Sequence, residues 1–380
     1  MKEYTFLAVV QRAVAVGLLL GAPLASAYHL YPENGFLGYT WNKWGSPSNP
    51  SPATVYWSLM PAGTGGSDYC ATACTTGSGT STLALPNFYD WNTHTFSSVQ
   101  LTDPVILGYI RAALRAWGAA AGITFVYVPA DSGVPINDPA AEPPGTGQIR
   151  IGVFDMGFGA PAAIGYAPPP NGFIPNSSQL ATGAGDVLIN SAYAYQNPVG
   201  AEGAHLESYP QGGGYFLNDF QGLLLHEIGH ALGLDHSDVA DAVMCGWPYT
   251  CTYDNVATYA INRQPDPDDV AGMQVLYGPP ADTDADTVPD AIDNCRLVAN
   301  ANQCDSDGDG YGNRCDGDLS NNGATNAQDT TLFRAQLGKP SVGPTYNAAD
   351  INCNGAVNAQ DTTFFRGLLG APPGPSGLVP

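Results

Sequence analysis

The sequence is poor in charge and poorer still in bases. Only 12% of its 380 residues are charged, and 12 Lys and Arg face 34 Asp and Glu, a formal net charge of −22. No cluster of Lys and Arg occurs, so like-charge repulsion excludes nucleic acid and anionic membrane surfaces as partners. No segment approaches the roughly 18 uninterrupted apolar residues of a membrane-spanning helix, so no membrane span is expected. No Cys-x-x-Cys pair occurs among the 8 cysteines, which removes the usual zinc-ribbon spacing. What is plentiful is Gly (46) and Pro (32), and a hydrophobic share of 44% leaves material for a core.

Lys2 and Arg12, an apolar run over 13–20 and the small-x-small site Ala25-Ser26-Ala27 read as a secretory signal over 1–27. The mature chain would begin at Tyr28 and be secreted, extracellular or associated with the cell surface. An oxidising compartment favours disulfides. Cys70 is expected to pair with Cys74, and Cys245 with Cys251. Cys295, Cys304, Cys315 and Cys353 have three connectivities, which sequence leaves open.

Over 28–278 the pattern predicts an α+β domain, with strands at 54–57, 123–128 and 148–154 and a loop-rich stretch over 63–82. Asp103-Pro104 opens a helix with Asp103 as N-cap and Ile106, Ile110, Ala113, Leu114 and Trp117 as its apolar stripe. Asn218 and Gln221 form a capping-box pattern at the start of a second helix. Pro279-Pro280 is the hinge to a region of different composition, with 13 Asp, no Glu and five bases from 282 onward.

The second helix carries His226-Glu227-Ile228-Gly229-His230-Ala231-Leu232-Gly233-Leu234-Asp235-His236, which holds three of the six histidines of the chain. Two histidines four apart share one helical face and can reach a single ion. Gly233 lets the helix end so that the chain doubles back and brings in His236 as a third ligand. Three nitrogens leave a fourth position for water, the pattern of one catalytic Zn2+, and Glu227 is placed to take a proton from that water.

With these residues the sequence resembles the metzincin metalloproteases of the matrixin branch. Ser237 after the third histidine, Val243-Met244 at the place of the methionine turn, and the closing helix at 267–278 extend the similarity. The resemblance implies a twisted mixed sheet with a long active-site helix, a structural role for Met244, hydrolysis of a protein or peptide substrate, and substrate pairing along 164–167. Tyr166 and Leu188 stand where the family places histidines of a second zinc, so none is expected. No cysteine-switch motif precedes the domain. His29, His94 and His205 lack ligand spacing and read as surface or loop residues.

Four stretches beyond Ala281 repeat oxygen-bearing side chains at positions 1, 3, 5, 9 and 12, the spacing that wraps a calcium ion. They are Asp282, Asp284, Asp286, Asp290 and Asp293; Asp305, Asp307, Asp309, Asn313 and Asp316; Asp318, Ser320, Asn322, Asn326 and Asp329; and Asp350, Asn352, Asn354, Asn358 and Asp361. Up to four Ca2+ are expected. Position 6 is Gly310, Gly323 or Gly355 in three of them and Thr287 in the first. The first two stretches, at 279–317, resemble thrombospondin type 3 repeats. The last two, at 318–371, resemble a dockerin pair through the recurring Asn-Ala-Gln-Asp-Thr-Thr, which implies a cohesin-like partner; a cell-surface anchor or calcium-stiffened stalk is the other reading. Residues 372–380 form a tail. The sequence thus points to a secreted zinc endopeptidase with a calcium-binding appendage. The alternative is a calcium-dependent surface or matrix-binding protein with a vestigial protease domain.

Overall fold

A computed structural model describes residues 28–30, 42–46, 48–66, 79–136, 148–158, 160–168, 184–197, 200–204, 217–246, 251, 261–342 and 346–378. The expected signal, the Cys70–Cys74 pair and His205 lie outside the described residues.

Among the described residues, two sheets and three helices build the first part. β1 (Ala53–Leu59), β4 (Ile123–Tyr127), β5 (Ile149–Phe154), β6 (Ala163–Gly165) and β7 (Val187–Asn190) form a five-stranded sheet in the order β4-β1-β5-β7-β6. All its pairings are parallel except β6 against β7. A second sheet runs β3 (Thr95–Gln100), β2 (Ala84–Asp90), β8 (Ala194–Gln196), β9 (Leu217–Asp219). β5 and β7 are buried along their whole length, as expected where both faces of a parallel sheet are covered; their polar members are satisfied inside the fold, Arg150 by an ion pair with Asp131 and Asn190 by backbone groups. The chain is therefore α+β with mixed sheets.

Helix α1 (Pro104–Ala120) buries the whole predicted stripe. Asp103 stands at its N-cap position without capping it; the carboxylate instead accepts from the N–H of Gln100 in the preceding turn. Helix α2 (Phe220–Leu232) begins one residue later than the capping pattern suggests: Asp219 is its N-cap and accepts from Gln221, while Asn218 belongs to β9. The Arg263 guanidinium holds Asp219 at 2.8 Å, which orients the cap. The core lies between the five-stranded sheet and these helices, centred on Trp117, Leu225, Ile228, Ile151 and Ile189. Helix α3 (Pro267–Tyr277) carries a complete capping box on Asp266 and Asp269.

Beyond residue 278 the chain is mostly loops, with α4 (Ala327–Gln336) and α5 (Ala359–Leu368) packed through stacked rings of Phe333 and Phe365 4.4 Å apart. Disulfides join Cys295 to Cys315 and Cys304 to Cys353, which selects one of the three open connectivities. The second of these, with Arg314 lying 3.7 Å over the Phe364 ring, links the second acidic loop to the fourth across the 317/318 boundary. Residues 374–378 are no free tail: they fold back over the acidic loops through backbone bonds to Cys315, Arg296 and Asp293.

Candidate active site

The end of α2 shows why the histidines converge. Gly233 has φ 114°, and its N–H reaches the carbonyls of Gly229 and His230, so the helix stops in a left-handed cap. A Cβ at that position would lie 2.2 Å from the Asn42 carbonyl, so glycine is required sterically as well as conformationally. The carbonyls left over at the helix end are taken by long-range partners. The Trp44 indole donates to Ala231 and the Tyr277 hydroxyl to Leu232, both at 2.8 Å, and the Trp44 N–H donates to that same hydroxyl.

The reversal brings His236 back to His226 and His230. One ring nitrogen from each lies within 4.8 Å of the others, a spacing that fits a single tetrahedral ion. His226 Nδ1 faces the Val243 carbonyl at 2.7 Å and His230 Nδ1 the Leu234 carbonyl at 2.8 Å. Those acceptors place the proton on Nδ1, which leaves Nε2 free to ligate. Burial lowers the pKa of both imidazoles, favouring the neutral, ligating form.

Glu227 is only 6% exposed. Its Oε2 accepts the N–H of Gly165 on the edge strand β6 at 2.5 Å. Burial pushes its pKa up to about 7, against the opposing pull of that N–H and of His236. A carboxyl poised near neutrality is suited to exchanging protons at neutral pH.

Met244 lies beneath the site, with its sulfur against Gly229, the residue before His230. The turn that carries it is held by Asp269, whose carboxylate accepts the N–H groups of Val243 and Met244 at 2.7 and 3.1 Å. The Met244 carbonyl accepts from Ser237, and Cys245 pairs with Cys251 as expected. A cleft of about 870 Å³ opens elsewhere, between α1, β4 and the first acidic loop, and none of the three histidines lines it.

Around β6 the structure shows a polar hub that sequence did not single out. Asn190, fully buried, accepts from Met156 and Ala192 and donates to the carbonyls of Gly157 and Pro161. The Tyr193 and Tyr195 hydroxyls secure the carbonyls of Phe158, Ala160 and Ala162 beside it. Leu188 is buried and Tyr166 packs with it in an apolar cluster, the two positions where family histidines were noted as missing. His29 meets the site through its backbone, its carbonyl accepting from Asp235.

The four acidic loops share one backbone design. In each, Oδ2 of the first Asp accepts from the N–H of position 6: Asp282 from Thr287, Asp305 from Gly310, Asp318 from Gly323, Asp350 from Gly355. Position 6 has φ 79°, 92°, 95° and 102°, and position 4 (Ala285, Gly308, Asn321, Cys353) is positive too. Carboxylates of Asp282, Asp284 and Asp286, and of Asp305, Asp307 and Asp309, converge within 4.8 Å. Oδ2 of Asp284 and of Asp293 are buried with no hydrogen-bond partner, and burial together with the charges of Asp309, Asp307 and Asp318 pushes Asp316 up to about 7. Unpartnered buried oxygens and crowded carboxylates fit a hard divalent cation.

The side chains at position 9 have partners within the protein. Asp290 is engaged by Thr283 and Arg296, and Asn313 accepts the N–H of Ser306. Asn326 and Asn358 cap α4 and α5. These contacts brace the loop or start the next helix, as the backbone N–H groups accepted by Asp329 and Asp361 at position 12 also do.

Residues 196–278 match the matrixin family (peptidase M10), and residues 280–303 and 304–339 match the thrombospondin type 3 repeat. The second repeat runs past the 317/318 boundary into the stretch that resembles a dockerin. The chain is 30% identical over 169 residues to the hatching enzyme of Paracentrotus lividus, covering 44% of this chain and 22% of that protein. It is 36% identical over 107 residues to stromelysin-1 of Rattus norvegicus, 27% of this chain and 20% of that protein. The similarity thus spans about a fifth of each relative's length. The chain carries a matrixin-like metalloprotease segment followed by thrombospondin type 3 repeats.

Proposed function

We propose that this chain is a secreted zinc-dependent endopeptidase with a calcium-binding C-terminal region. The observation that supports it most is the convergence of three imidazoles, His230 buried and His226 and His236 half-buried, two of them with Nδ1 held by backbone carbonyls, beside a buried carboxyl group. His226, His230 and His236 would hold one zinc, which when bound would supply Lewis-acid activation of water and of a substrate carbonyl. Glu227 would take a proton from the attacking water and return it to the leaving amine. Gly165 orients Glu227 through its N–H, and β6, at the edge of its sheet, offers its free side to an extended substrate. Met244 and Asp269 hold the floor of the site.

The organisation that goes with this reading is a signal at 1–27, a protease domain at 28–278 and calcium-binding repeats from 279 onward. Calcium would be held through positions 1, 3, 5, 9 and 12 of the loops, and the region would anchor or dock the enzyme. No helix among the described residues is long and apolar enough to cross a membrane. The resemblance of the repeats is what suggests a cohesin-like or cell-surface partner.

The test is peptide hydrolysis by the purified mature protein after zinc chelation and after zinc is restored. Loss and recovery are expected; full activity in the zinc-free protein would contradict the reading.

A further inference from the structure

The first acidic loop and the catalytic helices are joined by a continuous set of bonds that neither a free linker nor an independent appendage needs. Asp293, at position 12 of that loop, is 1% exposed, and its Oδ2 has no partner among the described residues. Asp284 Oδ2 is likewise buried without a hydrogen-bond partner, and carboxylate oxygens of Asp282, Asp284 and Asp286 lie within 4.8 Å of one another. The backbone carbonyl of the same Asp293 accepts the N–H of Gly377 at 2.7 Å.

Gly377 belongs to the returning segment 374–378. Its Ser376 hydroxyl donates to the carbonyl of Gly310, position 6 of the second loop, at 2.7 Å, and the Pro375 carbonyl accepts from Arg296. The segment therefore reads the conformation of two loops at once. At its far end the Leu378 carbonyl accepts from the Arg115 guanidinium on α1. Close packing reinforces the join: a Cβ on Gly377 would lie 2.0 Å from the Asp290 carbonyl, and one on Gly118 of α1 would lie 2.8 Å from Ala291.

Two residues along α1 from Arg115, Trp117 donates its indole N–H at 2.8 Å to the carbonyl of Leu225, the residue before His226. The same ring packs against Gly229.

We propose that residues 374–378 act as a strap that couples calcium occupancy of the first two loops to the stability of the catalytic domain, through Arg115 and α1. The inference rests on the calcium reading above. A cation that draws Asp293 and its loop into one conformation fixes the carbonyl that holds Gly377, and the strap then clamps α1 against α2. Binding to the folded state alone raises the stability of whatever is cooperative with it.

The sequence supplies a domain-specific probe, because all six tryptophans precede residue 248, so tryptophan fluorescence reports the protease domain only. The experiment uses the full mature chain loaded with zinc. Calcium binding is measured by calorimetry, and fluorescence melting is followed with and without calcium. Calcium is expected to raise the tryptophan Tm by about 3 °C or more. In Gly377→Val, which a Cβ clash would lift off Asp290, and in Arg115→Gln, a milder change, calcium should still bind while the Tm shift falls to less than half. Calcium heat with no shift in the wild-type Tm would overturn the coupling and leave the calcium reading intact. An undiminished shift in both variants would overturn the strap. No calcium heat at all would overturn the calcium reading and the coupling with it.

Discussion

The sulfur of Met244 occupies the space a side chain on Gly229 would need: a Cβ there would lie 2.3 Å from it and 2.9 Å from the Trp117 ring. Alanine would favour the helix by about 1 kcal/mol. Trp117 is fully buried and cannot retreat, however, and overpacking costs about 1–3 kcal/mol. Gly229→Ala is therefore expected to lower unfolding free energy by about 0–2 kcal/mol and to weaken zinc binding, since both helical histidines flank the displaced turn. Urea titration and a competitive zinc titration check this.

Asp269 gives the methionine turn a pH dependence. Its pKa is pushed up to about 6, first by burial and against the pull of the N–H groups it accepts. A group raised in the folded state contributes stability that is full below its unfolded pKa and is lost as pH rises through the folded value. Between the ordinary value of 3.8 and about 6, stability should therefore fall with rising pH by up to about 1.4 kcal/mol per unit relative to Asp269→Asn. Denaturation of both proteins across that window measures the difference.

Thr287 adopts φ 79° where the other three loops use glycine. A β-branched residue there is strained, by about 1–2 kcal/mol, of which the greater chain entropy of glycine offsets a part. Thr287→Gly should tighten calcium binding at the first loop about threefold to fivefold, read by calcium titration, and leave the other loops unchanged.

Asn190→Ala would strand two N–H groups and two carbonyls in a buried site. The expected loss is about 3 kcal/mol or more. Because the loop it holds leads into β6, the surviving enzyme should show a raised KM for peptides that pair along that strand.

Much of the site was legible because its signals are local. Helical spacing places His226 and His230 on one face, Gly233 announces the reversal, and the repeated loop spacing and the Gly at position 6 announce a shared turn. What stayed hidden depends on residues far apart in the chain. Trp44 and Tyr277 complete the end of α2 from opposite ends of the domain, and nothing near them in sequence says so. The Cys304–Cys353 link spans 49 residues, beyond the reach of spacing arguments. Asn218 and Asp219 both suit an N-cap, and it is the Arg263 contact that accompanies the choice of Asp219. Position 9 carries a second role that spacing does not announce: Asn and Asp cap helices and brace turns as readily as they bind calcium.

The most direct test of the central claim is the Glu227→Ala variant, assayed for zinc content and peptide hydrolysis in the same preparation. The carboxylate lies beside the histidines without being one of them, so the account predicts one zinc per chain, retained, with hydrolysis reduced by at least about a hundredfold. Turnover equal to wild type in a zinc-loaded variant would contradict it.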